Sequence, residues 1–188
     1  MMASKIALKE WAVLVEALAG GKQLLLIRKG GIHDPESAFQ LEHREFILYP
    51  TFEHQQEACV RPEFRALFHP AERAGQEGRA HVSLQVYAGV AYEKQVKDPQ
   101  VLIGLEKYHI WSRHFLEERS RYRPEFPPWV LVLRAYRLRQ PVPQPVRPEY
   151  AGCKSWVELS EAISLEGAQP VLDNQRFRAA LEEISSRL

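Results

Sequence analysis

The sequence has 188 residues, of which 45% are hydrophobic and 26% charged, and its formal net charge is +1. This composition is typical of a globular protein, and the length suits one domain with a sizeable core. No apolar run approaches the roughly 18 residues that a membrane span needs, and the first residues lack the pattern of a secretory signal. We therefore expect a cytoplasmic protein that does not enter a membrane. Cys59 and Cys153 lie far apart, which indicates neither a disulfide framework nor a thiolate zinc site.

The small net charge hides an asymmetry. Between Lys107 and Lys154 there are ten Lys and Arg residues against four Glu, so the rest of the chain is acidic. A basic segment of this kind is able to face an anion.

The first predicted element is an amphipathic helix over residues 5–19. Trp11, Leu14, Val15 and Leu18 follow helical spacing, with Ser4 as the predicted N-cap and Gly20 at the end. The short apolar run that starts at Gln23 is bounded by glycines and predicts a buried strand ending near Arg28-Lys29. A loop is expected at 32–40.

The second predicted strand, Glu42 to Tyr49, is polar at its start and apolar at its end. Because side chains alternate along a strand, His43, Glu45, Ile47 and Tyr49 are expected on one face, and Glu42, Arg44, Phe46 and Leu48 on the other. His54, Gln55 and Gln56 follow this strand. The pattern predicts a site in which His43 and Glu45 lie together.

The middle of the chain predicts a short helix after Pro62, a turn at Gly75 and Gly78, and a long half-buried strand over 81–92. Asp98-Pro99 ends that strand, and a short apolar segment follows at 101–105. Ser112 is the predicted N-cap of a helix that ends before Pro124.

The run from Trp129 to Leu138 is apolar on both faces, which is typical of a central strand. Four prolines at 141–148 predict extended polyproline-like chain or a sheet margin. A short strand is expected at 157–159, with Ser160 capping a helical turn and Asn174 capping a final helix that carries Phe177, Leu181 and Ile184 as one stripe.

The element order therefore predicts an α/β (α+β) fold in a single domain, with a mixed sheet of four or five strands flanked by helices. We expect residues 1–140 to form the core. Residues 141–188 then form a Pro-rich connector and a C-terminal helix that packs on the same domain.

Four spaced motifs resemble those of the bacterial domain-of-unknown-function family 1802. They are LLLIRKGGI at 24–32, EHREFILYPTFEHQ at 42–55, WVLVLRAYRL at 129–138 and CKSWVEL at 153–159. The resemblance covers most of the chain. It implies no established reaction and carries over no catalytic residue, so the candidate sites rest on side-chain chemistry.

The first hypothesis is a surface that binds a phosphate-bearing ligand such as RNA or DNA. Arginine forks match phosphates, and aromatic rings stack on exposed bases. The candidate ligand-binding residues are Arg28, Lys29, Arg44, Lys107, His109, Arg113, His114 and Lys154. Further cations lie near them in the sequence, namely Arg119, Arg121 and Arg123. Aromatic residues are interleaved with these cations: Tyr108, Trp111, Tyr122 and Trp156.

The second hypothesis is a metal-dependent, nuclease-like phosphodiester hydrolase. A divalent cation with oxygen ligands suits carboxylates, and the candidate acids are Glu10, Glu16, Glu42, Glu45 and Glu93, the last followed by Lys94. No Asp followed by Glu-x-Lys is present.

A histidine-centred site is a third possibility, with His43, Glu45 and His54 as candidate catalytic residues and His109 and His114 near them. Imidazole exchanges protons near neutral pH and binds zinc, but the sequence has no HxH or HxxxH ligand spacing. A non-catalytic protein-interaction domain is the remaining alternative. The residues leave the identity of any metal open.

Overall fold

The structure is a computed structural model that describes residues 2–29, 39–68, 80–152 and 154–188. These residues form a mixed seven-stranded sheet in the order β2-β5-β4-β3-β1-β6, with β7 paired to β5. Only β1 and β3 run parallel; every other pair is antiparallel. The strands are β1 (Ala3–Trp11), β2 (Leu25–Arg28), β3 (Glu45–Thr51), β4 (His81–Gln95), β5 (Trp129–Pro145), β6 (Trp156–Ser164) and β7 (Gln169–Pro170).

The helices of the described residues lie between and after these strands. They are α1 (Ala12–Ala19), α2 (Pro99–Ile103), α3 (Arg113–Arg121) and α4 (Asn174–Arg187), with short 3-10 turns at Glu57–Cys59, Pro62–Leu67, Glu106–Tyr108 and Pro148–Tyr150. No helix within the described ranges is both long and apolar enough to cross a membrane. The predicted mixed α/β fold is confirmed.

The sheet is larger than the predicted four or five strands because residues 3–11 form a strand and not a helix, and because the short β7 was not predicted. β1 lies between β3 and β6 and pairs with both, and its Ala7 and Leu8 are completely buried. Backbone pairing on both sides outweighs the local helical pattern there. The helix begins only at Ala12, and Ser4 lies in β1 and does not cap it.

β3 begins at Glu45, three residues later than predicted, and continues through Pro50. The predicted alternation is confirmed from Phe46 to Tyr49. Phe46 and Leu48 join the core that includes α1, whereas Ile47 and Tyr49 join a second core on the other face of the sheet.

The proline-rich segment predicted as extended chain or sheet margin continues β5 and pairs with β4 as far as Pro145. Val146 donates its N–H to the Ala80 carbonyl. Because successive backbone N–H groups point to opposite sides of a strand, the nitrogens of Pro143 and Pro145 lie on the side away from β4. The prolines therefore cost the β4 ladder no donor.

The sheet is strongly curled. β2 and β1 are four positions apart in the strand order, which is about 19 Å in a flat sheet at about 4.8 Å per strand. Nevertheless Arg28 on β2 donates to the Lys9 carbonyl and to Glu10 on β1. Register shifts in the β4–β5 pair supply the bends. The curl brings the ends of distant strands together.

In the C-terminal half, Ser112 caps α3 as predicted, with its Oγ accepting from Phe115 N at 3.2 Å. Ser160 lies within β6 and caps no helix; its N–H donates to the Tyr150 hydroxyl. Asp173, and not Asn174, is the N-cap of α4. The predicted turn at 75–78, most of the predicted loop at 32–40 and Cys153 lie outside the described residues.

Candidate functional site: a basic cleft

The carboxyl ends of β1, β2 and β3 and one side of α3 enclose a cleft of about 470 Å³, here called the basic cleft. Its walls come from five separate stretches of the chain. They are Lys9, Glu10, Trp11, Ile27, Arg28, Lys29, Thr51, Glu53, His54, Gln56, Cys59, Trp111, Phe115, Glu118, Arg119, Tyr122, Gly152, Lys154 and Ser155.

Five Lys and Arg side chains line the basic cleft against three Glu, so its charge is positive. One of these carboxylates, that of Glu10, forms an ion pair with Arg28. Arg28 Nη1 lies 3.0 Å from Glu10 Oε2, and Arg28 Nη2 donates to Ser155 Oγ at 2.9 Å. The two side chains of this ion pair are only 16% and 9% exposed. The pair fixes the Arg28 guanidinium at the cleft wall.

Lys29 and Arg119 lie beside this pair without a carboxylate of their own. Lys29 Nζ donates to the Arg119 carbonyl at 2.9 Å, and within the described part of the chain neither side chain forms an ion pair. Burial, and then the charge of Arg119, lowers the pKa of Lys29; burial, and then the charge of Arg28, lowers the pKa of Arg119. Each shift has a like charge among its causes, and a carboxylate opposes each of them, Glu125 for Lys29 and Glu10 for Arg119. The group thus concentrates positive charge.

Two further lysines complete the basic side of the cleft. Lys9 is 7% exposed, and its Nζ donates to the carbonyls of Tyr150 at 2.8 Å and Gly152 at 2.7 Å. Lys154 is exposed and donates to the Glu149 carbonyl at 3.4 Å. One lysine therefore lies at depth and the other near the surface.

An aromatic wall faces these cations. Trp111 stacks on Phe115 with ring centroids 4.2 Å apart, and Trp11 meets Trp111 edge-on at 5.3 Å. Trp111 is 4% exposed, so its face is not free for a base to stack on. Tyr122 is 42% exposed and is the ring at the cleft that offers such a face.

Two N–H donors of the cleft residues are buried and have no acceptor among the described residues. They are Trp111 Nε1 and Arg119 Nε. An unsatisfied buried donor costs about 1–3 kcal/mol.

His54 and Cys59 lie on the polar side of the cleft. The backbone of His54 is in the left-handed region, with φ 62°, which is uncommon for a residue other than glycine. The neighbouring Gln55 accepts from Val13 N at 2.9 Å and so ties this turn to the start of α1. Burial, and then Glu118, raises the pKa of Cys59, which does not favour a reactive thiolate.

Of the eleven candidate catalytic and ligand-binding residues, four line the basic cleft: Arg28, Lys29, His54 and Lys154. The cleft is also lined by Arg119, Trp111 and Tyr122, which were named with the binding residues, and by the candidate acid Glu10. His43 and Glu45 do not share the predicted face. His43 precedes β3 and packs edge-on against Trp156 with centroids 5.2 Å apart, whereas Glu45 contacts Tyr87 on the other face of the sheet. The predicted alternation fails there because the strand begins only at Glu45.

The other predicted binding residues lie elsewhere on the molecule. Arg44 forms a bidentate pair with Glu93 at 2.9 and 2.6 Å, and Lys107 pairs with Glu183 at 3.1 Å. His114 lies 3.3 Å from Glu118 on the exposed side of α3, where Arg113 is also exposed.

His109 is a core residue at 1% exposure. Its Nε2 hydrogen-bonds the Leu102 carbonyl at 2.9 Å, and its Nδ1 is buried without a partner in the described residues. Burial lowers its pKa from 6.5 to about 4. It is therefore neutral at physiological pH.

The acids proposed as metal ligands are also dispersed. Glu10 pairs with Arg28, Glu16 accepts from Gln85, and Glu93 pairs with Arg44. Across residues 2–29, 39–68, 80–152 and 154–188, no three His, Cys, Asp or Glu side chains come together in a metal-binding arrangement.

A second groove, of about 560 Å³, lies between the proline-rich part of β5 and β6. Arg139 and Arg147 face Glu161 and Glu166 there, so its charges balance. This balance is why we place the candidate anion site in the basic cleft and not in the larger groove.

Sequence reasoning missed Lys9 as a cleft residue but named Arg119 among the further cations of the binding surface. Lys9 was placed in a predicted helix. A strand over residues 3–11 would have put Lys9 and Glu10 at its carboxyl end, next to β3, which His54 follows, and that position is a usual place for ligands in α/β sheets.

Comparison with known proteins gives a family and no function. Neither curated proteins nor solved structures yielded a match to the chain. Residues 7–183 match the domain of unknown function DUF1802. The match spans nearly the whole sequence, including every strand from β2 to β7 and most of β1, and agrees with the resemblance of the four motifs. The chain therefore belongs to the DUF1802 family.

Proposed function

We propose that the protein binds a phosphate-bearing ligand, in particular a nucleic acid, in the basic cleft. The observation that carries this proposal is the cluster of Arg28, Lys29 and Arg119, in which only Arg28 has a carboxylate partner among the described residues. Like charges that are partly withdrawn from water repel each other. An anion between them replaces this repulsion with attraction.

The chemistry of these donors favours phosphate. Guanidinium groups present paired N–H donors that match phosphate oxygens, and an ammonium group adds a mobile point charge. Arg119 contributes a second guanidinium group to the cleft wall, and Lys154 contributes an exposed ammonium at the surface end. The cleft therefore combines the Arg28 guanidinium, which is held in place at the wall, with the flexible ammonium group of Lys154 at the surface.

Tyr122 directs the proposal toward nucleic acid. Its exposed ring lines the same cleft, and stacking of a base on an aromatic ring contributes about 1–3 kcal/mol. A base bound there would leave its phosphate near Arg119, which is three residues earlier on the same helix.

Fluorescence anisotropy of a labelled single-stranded oligonucleotide at about 50 and 200 mM salt tests the proposal. We expect binding at the lower salt, weakened by Arg119→Gln and Lys154→Gln. Each substitution should also reduce the slope of log affinity against log salt by about 0.7. Lys154→Gln is the more robust test because its exposed side chain contributes little to folding, and thermal unfolding checks both variants.

Arg44→Gln and Lys107→Gln are the matched controls, since each removes one positive charge outside the cleft. We expect them to leave affinity nearly unchanged. Undetectable binding of the wild-type protein at about 50 mM salt would overturn the proposal, as would equal weakening by the cleft and control variants.

A further inference from the structure

Building on the proposed function, we infer that the basic cleft takes a terminal phosphomonoester, at the end of a nucleic-acid chain or on a mononucleotide, and not the internal phosphodiesters of a strand. The inference rests on the depth of the cationic groups, the N–H donors that line the cleft and the charge of the site.

Depth is the first argument. Lys9 and Lys29 are each 7% exposed, and the Arg28 side chain is 16% exposed. An internal phosphodiester carries a nucleoside on both sides, so it reaches cations best when they lie on an open surface. A terminal phosphate is joined to the rest of the ligand on one side only. It is therefore able to enter a cleft as its leading group.

The donors of the wall give the second argument. Arg28, Lys29, Arg119 and Lys154 all line the cleft, and each carries several N–H donors. A phosphomonoester presents three terminal oxygens, whereas a phosphodiester presents two. The additional acceptor suits a site that is lined by several N–H donors.

Charge gives the third argument. A phosphomonoester carries about −1.5 to −2 at pH 7, because its second pKa is about 6, whereas a diester carries one negative charge. Lys29, Arg119 and Lys154 form no ion pair with a described carboxylate. More than one cation without a direct ion-pair partner favours the doubly charged ligand.

The test compares oligonucleotides of one sequence that end in a 5′-hydroxyl, a 5′-phosphate or a 3′-phosphate, with the full-length protein and its Arg119→Gln and Lys154→Gln variants. We expect one of the phosphorylated ends to bind at least about tenfold more tightly than the hydroxyl form, since one added charged contact is worth about 1.4 kcal/mol or more. The advantage should shrink in both variants.

Measuring affinity as a function of pH shows whether the phosphorylated ligand binds more tightly because of its second negative charge or because of the size of the phosphate group. Between pH 7.5 and pH 5 the phosphomonoester takes up a proton. We expect most of the advantage over the hydroxyl form to be lost across this range, with the hydroxyl form reporting any titration of the protein itself. A pH-independent advantage would contradict the charge argument.

Competition with a nucleoside 5′-monophosphate distinguishes the two sources of the ligand. Displacement by the mononucleotide indicates that the phosphate group and one nucleoside suffice, and displacement only by the phosphorylated oligonucleotide indicates a chain end. Both support the inference.

Equal affinity for all three oligonucleotides, with loss of affinity in the cleft variants, would overturn the terminal-phosphate inference and leave the proposed function standing. Absence of binding by every oligonucleotide at about 50 mM salt would overturn both.

Discussion

The buried imidazole of His109 makes the stability of this protein dependent on pH. Its Nε2 donates to the Leu102 carbonyl, so the neutral tautomer leaves Nδ1 as an acceptor. Protonation would place a charged N–H at Nδ1, where none of the described residues supplies a partner and the side chain is 1% exposed. Burial accordingly lowers the pKa of His109 from 6.5 to about 4.

The direction of the effect follows from proton uptake. Between pH 6.5 and pH 4 the unfolded chain binds a proton at His109 and the native protein does not, so stability is lost as the pH falls. With these two pKa values, the loss at His109 is about 2 kcal/mol between pH 7 and pH 5, and it approaches about 3 kcal/mol at pH 4.

Urea denaturation of the wild type, His109→Gln and His114→Gln at pH 7 and pH 5 measures this contribution. Glutamine keeps a donor for the Leu102 carbonyl but does not titrate. We expect His109→Gln to reduce the pH-dependent loss by about 2 kcal/mol. His114→Gln, at an exposed position on α3, should leave it nearly unchanged. Equal pH dependence in the wild type and His109→Gln would refute this account of the buried histidine.

Three other substitutions test the fold and the cleft. Glu10→Gln leaves the partly buried Arg28 without its ion-pair partner and should lower the free energy of unfolding by about 2 kcal/mol. Glu93→Gln, which breaks the exposed pair with Arg44, should lower it less, and equal losses in urea denaturation would contradict this. Asp173→Ala should lower the free energy of unfolding by about 1 kcal/mol because it removes the N-cap of α4, whereas Asn174→Ala should lower it less. A larger loss of thermal stability in Asn174→Ala would show that Asp173 is not the cap. Tyr122→Ala should weaken oligonucleotide binding about tenfold and Tyr122→Phe should not, because stacking needs only the ring; a large loss in the phenylalanine variant would exclude stacking as the cause.

The sequence predicts the strands whose pattern is set by burial on one or both faces. The alternation within 81–92 and the apolar run from Trp129 correspond to parts of β4 and β5, and the alternation from Phe46 to Tyr49 places each side chain in the correct core. Ser112 is recognisable as a helix cap because its hydroxyl satisfies a local donor. These features depend on neighbouring residues alone.

The missed features depend on partners far along the chain. Residues 5–11 fit a helical stripe, and only pairing with β3 and β6 makes them a strand. The composition of the cleft has the same origin, since the curl of the sheet brings Arg28 to Glu10 and places Arg119 beside Lys29. Lys107 and Arg44 have the same charge as these residues but are paired on the surface. Residue type therefore suggested phosphate binding, and the fold decides which cations converge.

The central claim is that a phosphate-bearing ligand occupies the basic cleft, and the tryptophan indole N–H groups report on it directly. The chain has four tryptophans, of which Trp11 and Trp111 line the cleft, while Trp129 and Trp156 lie outside it. We propose titrating ¹⁵N-labelled protein with a 5′-phosphorylated oligonucleotide and following the four indole resonances by NMR, assigned through single Trp→Phe variants. The account predicts that the Trp111 resonance moves most, because Trp111 lines the cleft, while that of Trp156, which lies outside it and is bonded to the Gln40 carbonyl, stays in place. Saturable binding that shifts Trp129 or Trp156 and leaves Trp111 unchanged would contradict it.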